Sequence, residues 1–368
     1  MLFFLACIYD IIHIMKRIFT ILIIILMLTA GCASGEKPSV TGLVIDTQTV
    51  TSSPAPTLSA QTAEPSPSPL QDELTASAGQ YTIAWISDTQ YYSRSFPDIY
   101  FSMTEFLHEN RERLNLKYIA HTGDLVNSAD DEAQWAVAVK AMDTIKEIPG
   151  GVLAGNHDVF NGKADYSEYS RYFGEDRYAG EPWYGGSFKD NRGHFDLMDI
   201  GGTKYIFVYM GYIQTSQSIK WLNETFSAHP DRLGVLLLHD YLDTDSTLTS
   251  DGELLFEKVV KKNPNIRFVL CGHRYTLNNI NAEIDDDGDG QPDRTVHQII
   301  GNYQAAGDMG GSGFMRFFKV DEEEGKIYMY SYSPYLDEYV YFDEPERLEE
   351  KYATPPERET LVFDIDWL

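Results

Sequence analysis

Five short apolar runs in the middle of the chain each end on a residue that can hold a metal ion or move a proton. Trp85-Ile86-Ser87 leads to Asp88, with Gln90 two positions on, and Ile119-Ala120-His121-Thr122-Gly123 leads to Asp124. Val152-Leu153-Ala154-Gly155 leads to Asn156, His157 and Asp158, Leu236-Leu237-Leu238 to His239, and Val269-Leu270-Cys271-Gly272 to His273. Each has an ordinary structural reading on its own: a histidine at a strand end is usually a satisfied polar group, and Asp or Asn ahead of a helix is usually a cap. Capping does not explain all five at equivalent places. Carboxylate, amide oxygen and imidazole make a mixed oxygen–nitrogen donor set without thiolate, which suits Mn²⁺, Fe or Zn²⁺. Two such ions about 4 Å apart share a bridging carboxylate, clamp a phosphoryl group and lower the pKa of bound water. They also bring positive charge, so an anionic substrate can bind an acidic protein.

These residues need a frame that delivers them to one place. From about Gly79 onward strand-like and helix-like segments alternate, which points to an α/β fold. Apolar, β-branched and aromatic runs fall at 81–87, 117–121, 151–154, 204–210, 234–238 and 266–271. In such sheets ligands bind at the carboxyl ends of the strands, where the five candidate sets lie. Ser128 with Asp131 reads as a capping box ahead of a helix whose apolar face is Trp135, Ala138, Val139, Met142 and Ile145. Ser250 with Glu253 opens another, with Leu255, Val259 and Val260 inward. Segments 314–320, 326–332 and 360–366 read as late strands, and 344–350 as an acidic exposed link. Gly307, Gly310, Gly311 and Gly313 lack the strand–loop–helix frame of a phosphate-binding loop and read as a turn or mobile loop.

Asp88-Thr89-Gln90, Gly123-Asp124, Gly155-Asn156-His157-Asp158, His239 and Gly272-His273 resemble, in order and spacing, the motifs of the calcineurin-like metallophosphoesterase superfamily. The Gly-Asn-His-Asp block is the most specific part, and the Ser87-Asp88-Thr89-Gln90 form is similar to a secreted subgroup. The resemblance implies an α-β-β-α sandwich of two β-sheets flanked by helices. It also implies roles: Asp88 on a first metal, Asp124 bridging two, and Asn156, His239 and His273 on the second. His157 would sit beside the leaving group as proton donor or charge stabiliser, with Asp158 orienting it. Two positions depart from the family pattern, Gln90 and Tyr275, each standing where a histidine is usual. Both concern the first metal, where they become replacement ligands. Loss of imidazole weakens that site or shifts it toward a harder ion. Three readings follow: a two-metal enzyme with an altered site, which ranks first because the second-metal ligands and His157 are intact; a one-metal enzyme; and a surface binding protein that keeps the fold and one structural metal.

Other residues carry weaker signals. Arg274, beside His273, is placed to touch a phosphate oxygen, although a solvated Arg fits equally. His121 and Asp240 read as neighbours of ligands. Tyr91, Tyr92, Tyr241 and Trp183 are candidates for a pocket wall, though with 24 tyrosines in the chain most must be packing. His108, His194, His229 and His297 have no ligand-like context. Asp285, Asp287 and Asp289 with Gly290 match the start of an EF-hand-type Ca²⁺ loop and Asp293 its ninth position, but the twelfth is Val296. Calcium binding and a plain Asp/Gly hairpin loop both stay open.

The whole chain has 368 residues, 43% of them hydrophobic, which excludes wholesale disorder. A formal charge of −27 argues against duplex nucleic acid as partner, since that needs a basic face. Of three cysteines only Cys271 lies in the globular part, so neither a disulfide framework nor a thiolate metal site is available. Residues 1–14 read as an upstream extension ahead of a true start at Met15. Residues 15–32 run from Met15-Lys16-Arg17 through an apolar stretch to Thr29-Ala30-Gly31-Cys32, and the segment resembles a bacterial lipoprotein signal with Cys32 as the lipidated residue. Residues 33–78, rich in Ser, Thr and Pro, read as a disordered tether, and 79–368 as the metallophosphoesterase domain. The expectation is a monomeric lipoprotein on the bacterial cell surface or the periplasmic side, lipid-anchored to the membrane. There a metal-bound hydroxide would hydrolyse phosphate esters of a small molecule, lipid or cell-wall polymer. A serine or cysteine hydrolase is disfavoured, because no Gly-x-Ser-x-Gly elbow is present.

Overall fold

The computed structural model describes residues 73–160, 164–350 and 354–365, all in one compact unit, Pro65–Leu368. The upstream extension, the lipoprotein signal with Cys32 and the tether up to residue 72 lie outside the described residues. Tertiary contacts begin ahead of the expected boundary at 79. Leu74 is fully buried, its N–H donates to the Tyr339 hydroxyl at 3.1 Å, and the Ala76 N–H donates to the Arg113 carbonyl at 3.0 Å.

Apolar runs with β-branched residues on both faces build the parallel strands β1 (Gln80–Ile86), β2 (Leu116–His121) and β3 (Gly150–Val152). The first sheet continues from β1 through antiparallel β11 (Met315–Asp321) and β12 (Lys326–Ser333), which pairs in turn with β13 (Glu338–Tyr339) and β14 (Leu361–Asp364). The second sheet runs in the order β4 (Tyr184–Phe188), β5 (Gly193–Ile200), β6 (Thr203–Met210), β7 (Leu233–Leu238), β8 (Ile266–Cys271), β10 (Arg294–Gly301) and β9 (Leu277–Ile284). Its centre, β6-β7-β8-β10, is parallel.

The twofold alternation of side chains divides the apolar residues into three layers. Tyr81, Ile83 and Trp85 of β1 face Phe207 of β6, Val235 and Leu237 of β7 and Leu270 of β8 across the seam between the sheets. Ala84 and Ile86 point the other way, onto helices α1 (Gln90–Ser95), α2 (Pro97–Glu109), α3 (Glu132–Thr144) and α4 (Ser167–Phe173). Leu236 and Leu238 face α5 (Ser216–Ala228) and α6 (Ser250–Lys258), through Leu222, Phe226 and Leu255. This is the expected α-β-β-α sandwich. Two helix starts differ from expectation. Asp131 itself caps α3, accepting from the Ala133 N–H at 3.0 Å, because its side chain reaches the first-turn donors that Ser128 would have to serve. Thr249, rather than Ser250, caps α6 through the Gly252 N–H at 3.1 Å.

One polar cluster interrupts the seam. The His194 ring lies on Tyr209 with centroids 4.3 Å apart, Tyr118 donates to Asp196, and the Tyr118 and Tyr209 hydroxyls are 2.9 Å apart. Burial pushes His194 down to about 3, so it is folded as the neutral ring. The unfolded chain takes up a proton there below about pH 6.5 and the native protein does not. The contribution of His194 is therefore complete above that pH and lost as pH falls toward 3. Urea unfolding across pH 7 to 4 should show stability declining by up to about 1.4 kcal/mol per pH unit from this group. A His194→Phe chain should lose that component of the slope.

Candidate metal centre

Three ligand positions come from the first sheet and two from the second, and backbone bonds tie the loops that carry them. The Asp88 N–H donates to the Gly123 carbonyl, the Thr122 N–H to that of Ile86, and the Gly272 N–H to that of His239, each at 3.1 Å. Asp88, Asp124 and His273 have φ of 55°, 54° and 71°, the left-handed region that non-glycine residues seldom adopt. Each strand therefore ends in a sharp turn that throws its functional side chain back over the sheet edge. The turns also bring main chain close to the carboxylates. A Cβ on Gly155 would lie 2.1 Å from Asp124 Oδ1, and one on Gly272 would lie 2.2 Å from Asp88 Oδ2. Only glycine leaves the required space.

Asp124 is the hub. Its Oδ2 accepts from Gln90 Nε2 at 2.9 Å, its Oδ1 accepts from the His157 N–H at 2.9 Å, and His239 Nε2 lies 3.3 Å from Oδ1. His239 Nδ1 donates to the Thr122 carbonyl at 2.8 Å, which leaves Nε2 aimed at Asp124 and at Asn156 Oδ1, 3.0 Å away. The His239 and His273 rings are 4.9 Å apart. Ligand atoms of Asp124, His239 and His273 all lie within 4.8 Å of one another. Asp88 faces them, accepting from the His273 N–H at 3.1 Å and from Ser87 Oγ at 2.5 Å.

Burial opposes charge on every one of these groups, and their mutual field decides the outcome. Burial pushes Asp88 up to about 7, with the Asp124 charge adding to it against the pull of His239. Burial also works against Asp124, but the neighbouring His239 and His157 outweigh it and hold its carboxyl below the usual range. For His239 burial is overcome by Asp124 and Asp88, which raise it to about 10, while burial and the His239 charge lower His273 to about 3.

This donor set fits divalent metal ions. Two carboxylates, an amide oxygen and two imidazoles converge where protein partners alone leave part of the set unmet: Gln90 is buried and its Oε1 has no hydrogen-bond partner. Gln90 thus stands beside Asp124, to which its Nε2 donates. Tyr275 is half-buried, and the Asp88 and Asp124 charges act on its hydroxyl.

The expected contact of Asp158 with the His157 ring is replaced by another arrangement. Asp158 is fully buried and accepts from three backbone N–H groups, those of Leu125 at 3.2 Å, Val126 at 3.0 Å and Gly155 at 2.8 Å. Its carboxylate holds the second and third ligand loops together. The His157 ring is oriented instead by the Asn127 carbonyl, 2.8 Å from Nδ1. Nδ1 must be the donor there, so Nε2 is the nitrogen left for chemistry. Asn127 carried no sequence signal, because its contribution is a main-chain oxygen that any residue could supply.

The remaining candidates separate cleanly. Arg274 reaches to 4.0 Å of Asp243. His121 Nδ1 accepts the Gly123 N–H at 3.1 Å and so shapes the turn before Asp124. Tyr91 is half-buried next to Gln90, whereas Tyr92 and Tyr241 are buried in the core. Trp183 lines a cavity of about 230 Å³ alongside β3, with Gly150 and Val152, and no candidate ligand is among its lining residues. Tyr212, absent from the expected wall, has its ring 6.1 Å from both His239 and His273. Asp285, Asp287 and Asp289 come together in the exposed β9–β10 loop, where Asp285 accepts from the Gly288 and Gly290 N–H groups and Asp293 from that of Asp286. Val296, at the twelfth position, is buried in the strand that follows.

The staple assignment of Asp158 has a measurable consequence. Asp158→Ala strands three buried donors at about 1–3 kcal/mol each, so urea unfolding should show a loss of several kcal/mol. A residue that only tuned the His157 ring would leave stability nearly unchanged.

The calcineurin-like phosphoesterase family profile matches residues 81–276. Uncharacterized protein YvnB of Bacillus subtilis (strain 168) is 42% identical over 276 residues, covering 74% of this chain and 21% of YvnB, so the chain spans about a fifth of that relative's length. Purple acid phosphatase from seeds of yellow lupin (Lupinus luteus) superposes with a TM-score of 0.51 over 79% of this chain and 55% of that one, at 9% identity, a likeness of fold alone. The matched segment holds every candidate ligand from Asp88 to Tyr275, and the chain belongs to the calcineurin-like phosphoesterase family.

Proposed function

We propose that this chain is a metal-dependent hydrolase of phosphate monoesters or diesters. The observation that carries the reading is the convergence of Asp88, Asp124, Asn156, His239 and His273, from both sheets, beside a His157 whose Nε2 is left for proton transfer. Asp88, Asp124 and Gln90 would hold one divalent ion, with Tyr275 beside them. Asp124, Asn156, His239 and His273 would hold the other. Ions there supply positive charge for the phosphoryl oxygens and lower the pKa of bound water.

The chain's own residues do the rest. Asp124, at the hub of the cluster, would serve both positions. The Thr122 carbonyl selects the His239 tautomer that presents Nε2. The Asn127 carbonyl holds the His157 ring so that Nε2 can hand a proton to, or share one with, the departing alkoxide. Glycines 155 and 272 keep the carboxylates close to main chain and leave no slack for them to turn away.

The setting is part of the same proposal. The lipoprotein-type signal ending on Cys32 and the Pro-rich tether would place the domain at the bacterial cell surface or the periplasmic side as a lipid-anchored monomer. Among the described residues no helix is long and apolar enough to cross a membrane. Nucleotides, phospholipid head groups and cell-wall phosphates all have the required ester.

A second reading, a non-catalytic binding protein with one structural metal, draws on Gln90 and Tyr275 standing where imidazoles are usual. Hydrolysis of bis-p-nitrophenyl phosphate and its monoester analogue by the full chain with Mn²⁺, Fe or Zn²⁺ separates the two. Asp124→Asn should abolish turnover with the fold retained. His157→Ala should lower kcat by about 10²–10⁴, the usual worth of a positioned proton donor. A folded chain that spares both esters with every metal belongs to the second reading.

A further inference from the structure

We propose that Tyr212 walls the alcohol side of the substrate site and selects phosphate esters whose alcohol carries a flat ring. The inference rests on the phosphoester hydrolase reading above and deepens it by naming a substrate class.

Strand β6 runs parallel to β7, with Tyr205 opposite Leu233 and Met210 opposite Leu238, so both strands finish at the same sheet edge. Where β7 delivers His239, β6 delivers no metal-binding type of side chain. After Gly211 it delivers Tyr212. The Tyr212 ring lands beside the ligand set: its centroid is 6.1 Å from that of His239, at 81°, and 6.1 Å from that of His273, at 42°. Neither imidazole lies parallel to it. Tyr212 is half-buried; it packs against the core cluster that includes Tyr166 and Tyr169 and keeps part of its surface accessible.

The main chain holds the ring in place. The Tyr212 N–H donates to the Ala154 carbonyl at 2.9 Å, two residues ahead of Asn156, and the Tyr212 carbonyl accepts from the Tyr166 hydroxyl at 2.6 Å. Gly211 is confined as well. Its N–H donates to the Arg192 carbonyl at 2.8 Å, and a Cβ there would lie 2.6 Å from the Tyr166 hydroxyl oxygen. Ile213, next in the chain, has φ of 69°, a conformation in which a β-branched residue is an outlier. Such strain persists only where the surroundings over-determine it, and it gathers at sites that clamp ligands.

An aromatic ring fixed beside a phosphoryl-binding centre sorts esters by the shape of their alcohol. A flat ring stacks on it or meets it edge to face, which is worth about twofold to tenfold over a saturated group of equal size. Glycerol-like and sugar-like alcohols have no such ring and gain nothing from it. Hydrolysis adds water across the P–O bond, and the alcohol departs with a proton and with its ring unchanged.

The test compares matched pairs on the full chain with Mn²⁺. Benzyl and cyclohexylmethyl phosphate differ in the flatness of one ring, and their turnover is read as phosphate release. Benzylphosphonate and cyclohexylmethylphosphonate, which cannot be hydrolysed, report binding alone by calorimetry. The benzyl member should lead by about twofold to tenfold in kcat/KM and in affinity. Tyr212→Leu should bring both ratios close to one, and Tyr212→Phe should keep them. Tyr166→Phe, which removes only the bond to the Tyr212 carbonyl, should lower them part of the way, with melting temperature checking that each variant folds. Adenosine monophosphate against ribose phosphate, the same ester with and without a base, then tells whether the flat ring can be a nucleobase or must be a short aryl group. Hydrolysis with no benzyl preference, or with one that survives Tyr212→Leu, overturns the role of Tyr212 and leaves the hydrolase reading standing. Ring-selective phosphonate binding lost in Tyr212→Leu, with every ester spared, supports the Tyr212 wall and overturns the hydrolase reading. Neither binding nor turnover overturns both.

Discussion

Two carboxylates from one sheet face two imidazoles from the other, across the end of a closed apolar seam, and the rest of the architecture is arranged around that meeting. Asp88 and Asp124 are each no more than 2% exposed, where an isolated carboxylate would be expelled or protonated. What allows Asp124 to stay charged is His239, delivered by a strand of the opposite sheet and locked to the Thr122 carbonyl of the first. The His273 N–H completes the exchange by donating to Asp88. Bonds of this kind join the sheets at the site as the aromatic and aliphatic side chains join them below it. The centre is therefore part of what registers the two sheets against each other.

That requirement explains the local strain. A strand that simply continued would carry its last side chain past the edge, not over it. The left-handed turns at Asp88, Asp124 and His273 reverse the chain within one residue, and the cost is spread over bonds between neighbouring loops. Asp is among the few residues that tolerate this conformation, whereas His273 needs the packing around it. Asp158 belongs to the same logic: its three backbone partners come from the two loops that must not drift apart.

Much of this was legible in the sequence, and the limits have physical causes. Strands β1, β2, β6, β7 and β8 stand out because both faces are buried, so they read as continuous apolar runs. By contrast β9 reads Leu-Asn-Asn-Ile-Asn-Ala-Glu-Ile and β5 carries His194 and Asp196 inward, so neither shows a clean apolar period. The short β4, with two glycines, offers even less. The candidate residues at the strand ends were legible because a polar, metal-binding type of side chain follows directly on each buried apolar run. The bonds that orient them were not, since Thr122, Asn127 and Gly123 act through main-chain atoms. Asp158 was the instructive case: adjacency to His157 suggested a ring partner, but the turn sends its carboxylate inward to unmet N–H groups.

Charge brings the site and the whole chain together. At −27 the protein repels anions at long range, and the two arginines next to the ligand loops have protein groups as neighbours. Arg94 lies over Tyr91 and donates to Asn127 Oδ1 at 3.3 Å, and Arg274 stands 4.0 Å from Asp243. Under the proposed function, a phosphate ester at this edge would find positive charge in the ions that the strand-end residues would hold. The same few side chains would then serve both the binding of an anion by an acidic protein and the chemistry.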